Sequence, residues 1–138
     1  MTTKQIELIK MSWDTVAQID AVTAGGLFYN RLFEIASEVQ TMFGGKDMAE
    51  QSKKLLSMLA YVINKLDKLD DILDEVRKLA IRHAGYGVKD EHYSAVGVAL
   101  LWTLQQALGE EWTSELKEAW VACYTLLADA MMQVAETV

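Results

Sequence analysis

The chain has no proline and a single cysteine among its 138 residues. Proline removes a backbone donor and clashes with the preceding turn, so its absence leaves every segment free to run as helix. Cys123 stands alone, which excludes an internal disulfide and points to a reducing, cytoplasmic setting. Basic residues are also scarce, 13 against 20 acidic, for a formal net charge of −7. That balance argues against nucleic acid and anionic membrane surfaces as partners, since both need a basic face. No run approaches the roughly 20 apolar residues that span a bilayer. Residues Met1 to Glu7 mix charges with apolar side chains and do not read as a secretory signal. H-E-x-x-H, glycine-rich phosphate loops and G-x-S-x-G are all missing, so the usual nucleophilic and metalloprotease chemistries have no foothold.

What is present is helical periodicity with 51% hydrophobic and 24% charged residues. The expectation is one all-α domain over 1–138, long enough to bury one sizeable core. Residues 4–19 place Ile6, Ile9, Trp13, Val16 and Ala17 on one stripe. Residues 21–36 do the same with Val22, Gly25, Gly26, Tyr29, Leu32, Phe33 and Ala36. Two adjacent glycines weaken a helix by about 1 kcal/mol each, a cost tolerated where a second helix crosses closely. A short segment ends at Met42-Phe43, and Gly44-Gly45-Lys46-Asp47 reads as a loop. The next helix, 48–66, carries Leu55, Leu56, Leu59, Val62, Ile63 and Leu66. The charge-rich stretch after it turns Leu69, Ile72, Leu73, Val76, Leu79 and Ala80 inward and stops near Gly85. Asp90 is expected to cap a helix to Leu108, and Thr113 to cap the last one.

Two polar residues sit on otherwise apolar stripes. His83 follows Leu79 and Ala80 by one turn and Val76 by two, so it shares their inward face. A buried imidazole needs partners; a backbone carbonyl is one candidate and a metal or haem iron is another. Gln51, one turn before Leu55, is the second, and a solvated glutamine near a helix start is the plain alternative. His92 is expected at the surface. The carboxylates Asp67, Asp70, Asp71, Asp74 and Glu75 alternate with Lys65, Lys68, Arg77 and Lys78, which suits a salt-bridged outer face. Cys123 is expected to be a buried, inert thiol.

The order of several fragments resembles bacterial single-domain globins, the group that supplies the haem domain of flavohaemoglobins, and neuroglobin-like bacterial globins. The fragments are Ile6-x-x-Ile9-Lys10-x-Ser12-Trp13, Phe28-Tyr29-Asn30-Arg31-Leu32-Phe33, Phe43, Gln51 with Leu55, Arg82-His83-x-x-Tyr86-Gly87-Val88, His92-Tyr93-x-x-Val96-Gly97, and Ala119-Trp120-x-x-x-Tyr124. The resemblance implies a globin fold of six to seven helices around a buried haem b. It implies His83 as the iron ligand, and Phe43, Lys54, Leu55, Val88 and Tyr93 as further cofactor contacts. Tyr29, Gln51 and Leu55 would form the ligand pocket on the opposite face. A phenol donating to a gas that gains partial negative charge is worth roughly 1.5–3 kcal/mol, or about 10- to 100-fold in affinity.

The function implied is reversible binding of dioxygen, or of NO or CO, at a five-coordinate iron by a monomer or weak dimer. The alternative is a nitric oxide dioxygenase served by an external reductase. Three departures accompany the resemblance. Ser37 stands where relatives carry proline. Ala135 stands where redox-active relatives place a glutamate toward the tyrosine matching Tyr93, with Glu136 one residue out of phase. No flavin or nicotinamide segment is expected after residue 138, so turnover would draw on an outside reductant.

Overall fold

A computed structural model describes residues 1–137, apart from the side chains of residues 69, 70 and 134–137. The Ala135 and Glu136 side chains therefore lie outside what is described. Among the described residues the chain is all-α, built from seven α-helices. These are α1 (Thr3–Val16), α2 (Ala21–Ile35), α3 (Ser37–Gln40), α4 (Met48–Asn64), α5 (Leu73–Gly85), α6 (Asp90–Leu108) and α7 (Ser114–Thr137). Short 3-10 turns at Thr41–Phe43, Leu66–Ile72 and Gly109–Glu111 join them. No described helix is long and apolar enough to cross a membrane.

Local chemistry sets the helix starts. Thr2 accepts from the Gln5 N–H while the Gln5 side chain accepts from the Thr2 N–H, closing a capping box on α1. Asp20 and Asp47 cap α2 and α4 through their carboxylates. Thr113 Oγ1 accepts from the Leu116 N–H at 3.1 Å, the cap expected for α7. Asp90, by contrast, is the first residue of α6 and not its cap. Lys89 takes the cap position, and its N–H is held by His92 Nδ1 at 2.9 Å. That bond also overturns the surface placement of His92, which is buried with its Nε2 3.9 Å from Glu38.

The segment before α5 differs from the continuous helix expected. Lys68 leaves helical geometry at φ −137°, ψ 53°, so the helix is broken before α5 begins. Ile72, Val76 and Ala80 are buried as expected, but Leu73 turns out to solvent at 48% exposure. Leu69 lies among the side chains that are not described. Asp74–Arg77 and Glu75–Lys78 pair three residues apart along the outer face, as charges on a solvated helix do.

Helices α1, α6 and α7 pack on one another as a closed rear wall. Trp13 of α1 and Trp120 of α7 tilt together at 6.4 Å between ring centroids. Trp120 Nε1 donates to Ser12 Oγ at 3.0 Å, and that hydroxyl donates to the Ile9 carbonyl at 2.9 Å. Every polar atom of this apolar contact is thereby satisfied. Cys123 packs in the same wall, where burial pushes its thiol up to about 12.

Candidate functional site

A crevice follows from which helices hold which. α4 is clamped to α2, and α5 is held against α7. The helices that carry Leu55 and His83 are thus each braced from behind by a different partner. The α2–α4 clamp uses the glycine pair noticed in the sequence. A Cβ at Gly25 would run into Ser52 of α4, so only glycine permits this approach. Gly26 meets nothing and contributes no such contact.

Burial changes along each stripe as it reaches the crevice. On α4, Val62 and Ile63 are buried, whereas Leu55, Leu56, Met58 and Leu59 are only half-buried. On α5, Val76 and Ala80 are buried, whereas Leu79 and His83 are half-buried. Val88 and Val96 repeat the pattern beyond α5. These half-covered stripes leave apolar surface between α4 and α5 that a ligand can cover.

His83 is the polar group on this wall. Its Nδ1 lies 2.8 Å from the Leu79 carbonyl oxygen. A carbonyl can only accept, so Nδ1 carries the proton and Nε2 keeps a bare lone pair. Burial lowers the affinity of the ring for a second proton, assisted by the nearby Arg82 charge, although the Leu79 bond works the other way. The imidazole is therefore neutral, oriented and a donor at Nε2, which is what a metal requires of histidine. Among the described residues no group of three or more His, Cys, Asp or Glu could hold a bare ion. A single imidazole above an apolar cleft suits a metal whose other ligands come from an organic ring. The residues present fit a haem.

The backbone tethers the next position. Val88 N–H donates to the His83 carbonyl at 3.1 Å, so Val88 is fixed to the turn that carries the imidazole. Gly87 makes this turn possible at φ +84°. Tyr93 is buried in the first turns of α6; burial and the Asp90 carboxylate raise its phenol. Its carbonyl accepts from the Tyr124 hydroxyl at 2.6 Å, and Gly97 leaves the space that the Tyr124 ring occupies.

Opposite His83 in the chain order stands an aromatic group on α2 and the following turn. Tyr29 lies 5.2 Å from Phe43 in an edge-on pair, with Phe33 6.0 Å away. Tyr29 is buried, and burial alone pushes its phenol up to about 12. Its hydroxyl makes no hydrogen bond among the described residues but is not sealed from solvent, so it is free to donate to a ligand. Gln51 is half-buried in the first turn of α4, and its amide likewise makes no hydrogen bond among the described residues. Leu55 follows one turn later, half-buried on the same helix. Lys54 is exposed, with no carboxylate partner among the described residues.

The structure therefore pairs Tyr29 with Phe43 and His83 with Val88, and it gives Gln51 and Lys54 no side-chain partner. Residues to which the sequence assigned no site role also join the site. Tyr124 anchors Tyr93, a link between α6 and α7 that no local spacing announces. Lys46 projects its Nζ to 4.5 Å from the Tyr86 ring centroid, across the opening of the crevice.

Comparisons with known proteins agree with this architecture. The family model described as Globin matches residues 26–131. Neuroglobin-1 of Oncorhynchus mykiss is 28% identical over 144 residues, covering 95% of this chain and 90% of that protein. The flavohemoprotein of Bacillus subtilis (strain 168) is 30% identical over 133 residues, covering 95% of this chain. The chain spans 33% of that longer protein. A solved bacterial globin from Campylobacter jejuni superimposes with a TM-score of 0.84 at 28% identity, covering 99% and 97% of the two chains. Each match runs through the helices that bear Tyr29, Gln51 and His83.

Proposed function

Because the chain belongs to the globin family, matched over residues 26–131, we propose that it binds haem b through His83 and reversibly holds dioxygen, NO or CO against Tyr29 and Gln51. The observation that carries this reading is the His83 geometry, with Nδ1 spent on Leu79 at 2.8 Å and Nε2 left free at an apolar cleft. When bound, the haem supplies an iron with an open position at which a diatomic gas can sit.

The chain's own residues would then act in defined ways. His83 is held neutral and aimed by the Leu79 carbonyl, so it meets the iron without first losing a proton. Phe43 and Val88 present apolar surface to the porphyrin, Leu55 limits access, and Tyr93 closes the cleft from α6. Tyr29 keeps its proton throughout the physiological range, since its phenol stands at about 12, and it is therefore a donor at all times. Gln51 offers an amide that can donate to the ligand or to Tyr29. A glutamine binds iron poorly, which favours a five-coordinate resting state. Lys54, exposed on α4, would meet a propionate from the solvent side.

The protein is read as a gas-binding protein of the cytoplasm, not primarily as an enzyme. A second reading, conversion of nitric oxide to nitrate with an external reductase, is favoured by the likeness to a flavohemoprotein over 95% of this chain. An absorption spectrum of the reduced protein with and without carbon monoxide tests the haem reading, and a colourless, folded chain in excess haem refutes it. Repeated turnover of nitric oxide with a cellular reductase would replace the first reading with the second.

A further inference from the structure

Two glycine-hinged corners face each other at the crevice. Gly45, at φ +78°, precedes Lys46 in the loop that leads into α4. Gly87, at φ +84°, follows Tyr86 at the end of α5. Both corners use backbone geometry that L side chains rarely adopt, so each presents its neighbour in a fixed direction. Lys46 Nζ lies 4.5 Å from the Tyr86 ring centroid and 5.9 Å from that of Phe43. The ammonium has no carboxylate partner among the described residues, and the adjacent Asp47 carboxylate is occupied with the N–H groups of Ala49 and Glu50. Tyr86 is 55% exposed, an unusual position for a large aromatic that serves no contact.

These contacts complete a chain. Tyr29 touches Phe43 at 5.2 Å, Phe43 and Tyr86 share Lys46, and the Tyr86 ring lies 6.4 Å from that of His83. The wall bearing Tyr29 and the wall bearing His83 are braced from behind by different helices, and here they meet in front. We propose that Lys46 and Tyr86 form a clasp that joins the two walls at the crevice opening and slows the exchange of haem through it. The proposal rests on the haem reading of the crevice. An exposed cation–π contact is weak, so the clasp opens often and sets a rate instead of locking the site.

The test uses the whole chain and two measurements. Haem release is followed by transfer to excess apomyoglobin, and backbone hydrogen exchange is followed in the haem-free protein. Lys46→Met and Tyr86→Leu should each speed release about two- to fivefold, a range set by exposed cation–π contacts. The double variant should release no faster than the faster single one. Lys46→Arg and Tyr86→Phe keep a cation and a ring and should behave as the parent. In the haem-free protein, Lys46→Met should speed exchange of the Tyr86, Gly87 and Val88 amides, which bond to carbonyls of the α5 end. Additive effects in the double variant, or unchanged exchange at the α5 end in Lys46→Met, would overturn the clasp. If the chain takes up no haem, the functional reading fails separately, and exchange alone decides whether the two corners are joined.

Discussion

Trp120 and His83 are both aromatic rings with polar nitrogens on long helices, and their surroundings part them. Trp120 is 2% exposed, and its only donor is matched by Ser12. His83 is half-buried, and one of its two nitrogens is matched while the other is left over. The same division separates the rear wall of α1, α6 and α7 from the front formed by α4, α5 and the Phe43 corner. Behind, hydrogen bonding and packing close on themselves. In front, apolar stripes stop half-covered and donors stop unpaired. On the proposed function, stability resides in the first region and ligand chemistry in the second, so the two should respond differently to substitution.

The largest effect separating them is expected at position 83. His83→Ala should abolish haem retention on gel filtration while the helical circular dichroism of the haem-free chain persists; a retained Soret band would sink the assignment. The mirror-image experiment is Trp120→Ala, which opens the rear wall and should cost about 3–5 kcal/mol in urea denaturation. A cost below about 1 kcal/mol would mean that the wall is not where the fold is held. Tyr29→Phe is a finer probe. Its hydroxyl has no partner to lose among the described residues, so stability should hardly move, while the oxygen dissociation rate should change severalfold by flash photolysis. An unchanged rate removes Tyr29 as donor.

The smallest effect concerns pH. Burial raises both the Cys123 thiol and the Tyr29 phenol to about 12, whereas in an unfolded chain they ionise near roughly 8.5 and 10. The unfolded state therefore releases protons first as pH rises. The stabilisation is fully present below about pH 8 and is lost progressively toward pH 12, which a series of thermal melts would register. At pH 8 the folded thiol should resist iodoacetamide and react only after urea is added.

Much of this division was legible in the sequence. The α1 stripe from Ile9 to Val16, the Tyr29–Leu32 part of α2, the α4 stripe, the loop at 44–47, the Gly25 crossing and the Thr113 cap all follow from spacing and side-chain chemistry, whereas Ala17 and Val22, expected on the inward stripes, turn to solvent at the helix ends. His83 stood out because a polar ring broke an apolar face. What escaped was settled by contacts between distant segments. His92 is buried because it turns back to hold the Lys89 N–H, a tertiary choice between solvent and cap that local pattern leaves undecided. Leu73 is exposed although Ile72 and Val76 on either side are buried, because it opens α5 at the edge of the apolar stripe just after the break at Lys68. Half-burial of Leu55 or Leu79 cannot be read from periodicity at all, since a stripe facing a cofactor and a stripe facing another helix are written in the same letters.

The meeting of Gly97 and Tyr124 has a consequence for alignment along the axes of α6 and α7. Apolar ridges alone let neighbouring helices slip by a residue at small cost. Here a ring fills a gap that any Cβ would narrow to 2.8 Å, and its hydroxyl grips a carbonyl four residues earlier. The two helices are keyed like a bolt in a slot, with one admissible register. Changes of length in the turn at Gly109–Glu111 must then be absorbed within that turn, because the slot leaves α7 no freedom to slide.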